Sequence, residues 1–105
     1  MAAGDVSITL DGKPFVLRST LGAAETVNAA FGSFTAAYER VGKFDFSAFV
    51  VIIAAGTDKP TKEIKSAVFK NGMTDLVKPI SEYLTLLSNG GRPATEAEGD
   101  DKGEA

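Results

Sequence analysis

The chain of 105 residues contains no cysteine and no histidine. Without cysteine it has no disulfide, no thiolate nucleophile and no sulfur ligand for zinc. Without histidine it has no imidazole to act as a general base or to ligate a metal. Carboxylates, hydroxyl groups, lysine and arginine remain, and they form no recognisable catalytic, cofactor-binding or metal-binding pattern. The sequence therefore predicts a protein that is not an enzyme and that uses neither a cofactor nor a metal.

The acidic balance of the chain is confined to its carboxy-terminal end. The net charge is -3, yet residues 1–88 carry nine basic and nine acidic side chains. Residues 89–105 carry two basic and five acidic side chains, which account for the whole excess. A neutral body argues against broad electrostatic binding of nucleic acid or of an anionic membrane.

Neither a secretory signal nor a membrane span is predicted. Residues 1–5 contain no basic stretch and no apolar run. The most apolar segment, residues 46–55, has ten residues, whereas a helix needs about 20 to span a bilayer. We expect a cytoplasmic protein that does not contact a membrane.

Residues 5–18 are predicted to form a β-hairpin, because apolar and polar residues alternate in two short runs. The apolar members are Val6, Ile8, Leu10, Phe15 and Leu17. Asp11-Gly12 between the runs favours a tight turn, since glycine accepts a positive φ and aspartate tolerates one. Pro14 suits an edge strand, where no N–H donor is needed. A lone hairpin is marginal in water, so its apolar face must pack on the helices that come after it in the chain.

Two helices are expected next: one over about residues 21–31, and a shorter one that Ser33 caps and Gly42 ends. Ser19 and Thr20 supply the first N-cap, and Gly32 ends that helix. The apolar stripe predicted for the first helix comprises Leu21, Ala24, Val27, Asn28 and Phe31. The second helix places Phe34, Ala37, Tyr38 and Val41 on one face.

Residues 46–55 are ambiguous, because the β-branched run at 50–53 also suits a buried strand. A helix is favoured because Phe46, Phe49, Val50 and Ile53 keep helical spacing. An N-cap at Asp45 and a glycine at position 56 bracket the segment. A helix that is apolar on nearly every side must be covered, either by the domain itself or by a partner.

Two more helices complete the predicted domain. Thr61 is expected to cap the fourth, residues 62–71, with Ile64, Ala67 and Val68 inward and Lys62, Lys65 and Lys70 outward. The last helix begins at Thr74 and presents an apolar stripe of Leu76, Ile80, Tyr83, Leu84 and Leu87. Pro79 is expected to delete one intrahelical hydrogen bond and to bend this helix.

These elements predict an α+β fold in which an N-terminal β-hairpin packs on a small bundle of four to five helices. Residues 1–90 form a single domain. Residues 91–105 contain no large apolar side chain and are predicted to be a disordered acidic tail, because they cannot bury enough surface to offset the entropy of ordering.

Most polar candidates have an ordinary structural interpretation. Glu25 is expected to be a boundary carboxylate paired with a lysine or arginine, and Asn28 to be a hydrogen-bonded polar group or a contact residue. Acidic residues interleave with the lysines at 59, 62, 65 and 70, which predicts a solvated face and not a nucleic-acid site.

Most of the seven phenylalanine side chains are expected in the core, and one cluster of them is the candidate for a binding surface. Phe44, Phe46 and Phe49 cluster around one loop and the start of the third helix, where part of the cluster can face a partner. The candidate partner-binding residues are Phe44, Phe46, Phe49, Val50 and Ile53. Burial in the core is the alternative for these side chains.

The order of features over about residues 4–90 resembles the tail assembly proteins of gene transfer agents and related tailed phages. The amino-terminal part of the resemblance is the run at 4–13, Leu17-Arg18, the helix at 21–31 and Gly32. The carboxy-terminal part consists of Ala67-Val68-Phe69, Gly72, Leu76, Pro79-Ile80, Leu84 and a glycine-rich break. This family is described both as a tail assembly chaperone and as a tail tube protein.

The resemblance implies a small non-enzymatic protein of a prophage or gene transfer agent, acting between the major tail protein and the tape-measure protein. As a chaperone it would cover the apolar helical tape measure until tube subunits polymerise around it. The alternative is a minor tail-tube component that stays in the virion tail. The implied partners are the tape-measure protein, the major tail tube protein or both, and homo-oligomerisation is left open.

Overall fold

In the computed structural model, which describes residues 4–91, a two-stranded hairpin precedes five α-helices. The strands are β1 (Asp5–Leu10) and β2 (Lys13–Arg18). The helices are α1 (Leu21–Phe31), α2 (Phe34–Gly42), α3 (Phe46–Gly56), α4 (Thr61–Asn71) and α5 (Val77–Ser88), with a 3₁₀ turn at Thr74–Leu76 before α5. The predicted α+β fold is confirmed. The predicted disordered tail, apart from residue 91, lies outside the described residues.

The hairpin has the turn and register that its sequence predicts. Leu10 pairs with Lys13 across the antiparallel ladder, so Asp11 and Gly12 alone form the turn. Both turn residues have positive φ, 52° and 80°, which is the conformation that Asp-Gly favours. One face of the hairpin is buried through Ile8, Leu10, Phe15 and Leu17. The hairpin thereby covers one side of the helices.

The N-caps predicted for the first three helices are confirmed. The side-chain oxygens of Thr20, Ser33 and Asp45 each accept a hydrogen bond from the backbone N–H of the residue three positions later, at 3.1, 3.0 and 3.3 Å. The cap predicted at Thr61 is wrong, because Thr61 is already the first helical residue of α4. Pro60 takes the N-cap position and offers no side-chain acceptor.

Helix α3 lies at the centre of the domain. It is a helix and not a strand, and it contacts α1, α2, α4, α5 and β2. Its side chains at Phe49, Val50, Ile52 and Ile53 are at most 3% exposed. The domain itself therefore covers a helix that is apolar on nearly every side.

Two sequence expectations about the helices are wrong, one about a buried face and one about a proline. Leu21 and Asn28 were expected on the apolar stripe of α1, yet both are exposed, Leu21 to 76%. The buried residues of α1 are Ala23 and Val27, so the inward face is rotated from the predicted one. Pro79 removes no ladder bond, because α5 begins at Val77 and the first N–H groups of a helix have no intrahelical partner.

Tyr83 of α5 ties the two ends of the domain together. Its side chain is fully buried, and its hydroxyl donates a hydrogen bond to the Arg18 carbonyl at 2.6 Å. Gly56 makes room for the ring, because a Cβ at that position would lie 2.6 Å from the Tyr83 hydroxyl oxygen. The last residue of α3 is thus glycine for reasons of space.

No helix within residues 4–91 has the length and apolar character needed to cross a bilayer.

We expect the Tyr83→Phe variant to lose about 1 kcal/mol of unfolding free energy at pH 7, because the Arg18 carbonyl loses its donor. Burial, with a smaller contribution from the charge of Asp5, raises the pKa of Tyr83 above its usual value of 10.0. Above that pH the unfolded chain binds fewer protons than the native protein at this site, so stability falls as pH rises.

Urea unfolding of wild type and Tyr83→Phe between pH 7 and about pH 11 tests both expectations. The stability of wild type should fall more steeply above pH 10, by up to about 1.4 kcal/mol per pH unit for one proton. The lysines ionise equally in both proteins and cancel in the comparison. Parallel curves across the whole range would contradict the assignment.

Candidate partner-binding surface

The five predicted partner-binding residues separate into a buried and an exposed group. Phe49, Val50 and Ile53 are 0%, 3% and 0% exposed, and they belong to the core. Their burial corrects the expectation that they face a partner, because the domain covers α3 on nearly every side. Phe44 is exposed and Phe46 is half-buried, so these two remain available at the surface.

Phe44 occupies an unfavourable backbone conformation. Its φ is 59°, the left-handed region that a bulky side chain adopts at a cost of about 1–2 kcal/mol. The Phe44 N–H bonds to the Val41 carbonyl and the Asp45 N–H to the Arg40 carbonyl, both at 3.0 Å. This pattern is a Schellman motif, whose left-handed position is usually glycine. The structure thus places phenylalanine where glycine is the favoured residue.

The Phe44 side chain is only partly used by the core. Its ring stacks on Phe49, with centroids 6.4 Å apart and ring planes 11° apart. Nevertheless 47% of Phe44 remains exposed. Stacking contributes about 0.5–1.5 kcal/mol in addition to the burial of the covered part of the ring, and the backbone conformation costs about 1–2 kcal/mol. The backbone cost therefore offsets part of what the ring contributes, and the exposed part adds nothing to the stability of the domain.

An ion pair holds the corner next to Phe44. Arg40 Nη1 lies 2.7 Å from Asp45 Oδ2, and the same guanidinium lies 5.9 Å from the centre of the Phe31 ring. The hydrogen bond from Arg40 lowers the pKa of the Asp45 carboxyl, which therefore stays ionised as the N-cap of α3. Arg40 therefore connects α1, α2 and the start of α3.

Phe46 lies in a second apolar surface, whose other residues are outside the predicted partner-binding set. It lines an open groove with Phe69 and three other residues of α4, Lys62, Lys65 and Ser66. We call this the Phe46–Phe69 groove. Its volume is about 410 Å³. Phe69 is 79% exposed, more than any other large apolar side chain in the described part of the chain.

The predicted partner-binding set leaves out Phe69, because most phenylalanine side chains are expected in the core. A signal was nevertheless present in the sequence. With Ile64 and Val68 inward at a spacing of four, position 69 must fall beside Lys65 on the outer face. The inward residues and the outward lysines of α4 are confirmed. The exposure of Phe69 follows from the same helical periodicity.

The remaining candidates form no site. Glu25 and Asn28 are both exposed on α1, and the ion pair expected for Glu25 is not formed within residues 4–91. Asn28 is therefore not a polar group on an apolar stripe. Among the described residues no three acidic side chains come together as a metal site.

Comparisons with known proteins give no assignment. No protein-family profile matches the chain, and no curated protein and no solved structure is significantly similar to it.

We expect Phe44→Gly to be about 0.5–1 kcal/mol more stable than Phe44→Ala, because both remove the ring but only glycine relieves the left-handed strain. Phe44→Gly should be less stable than wild type by up to about 2 kcal/mol, because the loss of the buried part of the ring outweighs the strain that is relieved. Thermal or urea unfolding of the three proteins measures this order. If alanine proves as stable as glycine, residue 44 is not held in the left-handed conformation.

Proposed function

We propose that this protein is a tail assembly chaperone of a prophage or gene transfer agent. It covers apolar helical segments of the tape-measure protein until tube subunits polymerise around them. It acts in the cytoplasm of the host cell during particle assembly. The sequence resemblance over about residues 4–90 supports this assignment, and the exposed aromatic surface offers a physical reason for the activity.

The observation that carries the proposal is the exposure of Phe44 in a strained conformation. The backbone cost offsets part of what its ring contributes to stability, and 47% of the residue remains exposed. An exposed aromatic side chain held in a costly backbone conformation favours a role in contact with another protein. Burial of such a ring contributes at about 25 cal/mol per Å² of apolar surface removed from water.

Co-expression with the tape-measure protein encoded beside it tests this function. We expect the wild-type chain to raise the soluble fraction of the tape measure and to co-purify with it. Phe44→Gly, which retains the fold, should weaken the complex about tenfold, because truncation of a buried aromatic anchor typically costs at least that much.

Leu21→Ala is the matched control. Leu21 is a large apolar residue with 76% exposure on α1, and its removal should leave the complex unchanged. If the wild-type protein neither co-purifies with the tape measure nor raises its solubility, the chaperone proposal is wrong.

The alternative is a minor tail-tube component that remains in the particle. Its supporting observation is the hairpin, whose two strands pair only with each other within residues 4–91. A strand edge of this kind can accept a strand from another subunit. However, Pro14 on β2 lacks the N–H that such pairing needs, and for this reason we rank the alternative second.

Mass spectrometry of purified particles distinguishes these two roles. A chaperone should be absent from the mature particle or present in traces far below one copy per tube ring. A tube component should be recovered at a fixed ratio to the major tail protein. Recovery at a fixed ratio would replace the first proposal with the second.

A further inference from the structure

The outer face of α4 carries a complete helical stripe of exposed side chains. Lys62, Lys65, Ser66 and Phe69 are all exposed, and their spacing of i, i+3, i+4 and i+7 places them on one side of the helix. The opposite side buries Ile64 and Val68. The stripe is about 10 Å long, which is two turns of a helix. No element within residues 4–91 covers it.

The floor of the Phe46–Phe69 groove is apolar. Phe46 forms one wall from the first residue of α3, and Phe69 forms the other from α4. The aliphatic stems of Lys62 and Lys65 extend along the same groove, as lysine stems commonly do on apolar surfaces. This arrangement suits an apolar side chain that enters between the two rings.

The charges around the groove are of one sign. Lys62 and Lys65 line it, and no acidic residue does. In the described part of the chain the one ion pair joins Arg40 and Asp45, so neither lysine has a carboxylate within 4.0 Å. Lys62 also lines a neighbouring groove, between α4 and the hairpin turn, together with Asp11 and Glu63. Neither ammonium group is nevertheless held in an ion pair within residues 4–91.

We propose that the Phe46–Phe69 groove binds an amphipathic helix of the partner protein whose apolar stripe is flanked by acidic residues. An apolar side chain of that helix packs between Phe46 and Phe69. Carboxylates about one turn away pair with Lys62 and Lys65. The proposal rests on the proposed function only in taking the partner to be a helical protein.

Two other occupants fit the groove less well. A second copy of the chain that used this same face would bring Lys62 and Lys65 of both copies together, which is repulsive. The segment 92–105 of this chain has the acidic charge but contains no large apolar residue to fill the space between the rings. The groove has an apolar part and a basic part, and an acidic amphipathic helix satisfies both.

Two synthetic helical peptides of 18 residues test the partner chemistry on the full chain. Both carry leucines at i, i+3, i+4 and i+7, and the flanking positions are glutamate in one and lysine in the other. By fluorescence anisotropy at low salt, the glutamate peptide should bind about tenfold more tightly, since two ion pairs replace two like-charge contacts. The preference should shrink as salt is raised.

Variants of the chain localise the effect. The double change Lys62→Glu and Lys65→Glu should reverse the preference, so that the lysine peptide binds more tightly. Lys70→Glu with Lys78→Glu is the matched control, because it makes the same change in net charge at exposed positions outside the groove. Phe69→Ala should weaken both peptides about tenfold, whereas Leu21→Ala should weaken neither. Thermal unfolding confirms that each variant is folded.

Several results would overturn the assignment. Equal affinity for the two peptides, or the same loss of preference in the control pair, means that the groove does not select acidic helices. A wild-type dimer in sedimentation that Phe69→Ala dissolves assigns the groove to a second copy. The last outcome concerns a chain in which the five acidic residues in 92–105 are replaced by their amides. If this chain binds the glutamate peptide more tightly than wild type, and the gain requires Lys62 and Lys65, the groove is assigned to the chain's own acidic segment.

Failure of this inference is distinguishable from failure of the proposed function. If the tape measure co-purifies equally well with wild type and with Lys62→Glu, Lys65→Glu, the chaperone role stands and the groove assignment falls. If the tape measure does not co-purify at all but the peptide preference reverses as expected, the groove assignment stands and the chaperone role falls.

Discussion

Burial of α3 is the constraint on which the rest of the structure depends. Its segment Phe46–Gly56 has almost no polar side chain, so a stable domain must surround it. Helices α1, α2, α4 and α5 do so together with β2. The amphipathic helices each need only one apolar face for this purpose, which leaves their outer faces open to other uses. Most large apolar side chains are used in this way, so those that remain exposed are exceptions to the general burial of apolar residues.

Two such exceptions differ in how the chain keeps them exposed. Phe44 is held outward by a helix–helix corner, and the conformation of that corner is costly for its residue type. Phe69 is held outward by simple helical periodicity, because Ile64 and Val68 already fill the inner face of α4. The first is an aromatic ring on a fixed corner beside an ion pair. The second is part of a groove with a basic rim. A protein that binds a long partner can use both surfaces at different segments.

Much of the fold follows from local patterns in the sequence. The Asp11-Gly12 turn, the caps at Thr20, Ser33 and Asp45, and the helical spacing of the apolar residues predicted most element positions. The buried face of α1 could not be predicted from its own residues, because it depends on where the neighbouring elements pack. The effect of Pro79 could not be predicted either, because it depends on where α5 starts. The site was harder to predict. Phe49, Val50 and Ile53 have the same apolar character as Phe46, and only the three-dimensional arrangement decides which of them the domain covers.

The hydrogen bond from Tyr83 to the Arg18 carbonyl joins residues 65 positions apart in the chain. The hairpin is synthesised first, yet the side chain that fixes its end arrives with the last helix. The backbone N–H of Asp11 likewise donates to the side-chain oxygen of Asn71, which is synthesised 60 residues later. Contacts of such high sequence separation must wait for large loops to close, which slows folding. A chain that stops before α5 is therefore expected to leave open the apolar faces of α2 and β1 that α5 covers, so that residues 1–76 are an aggregation hazard until α5 is made.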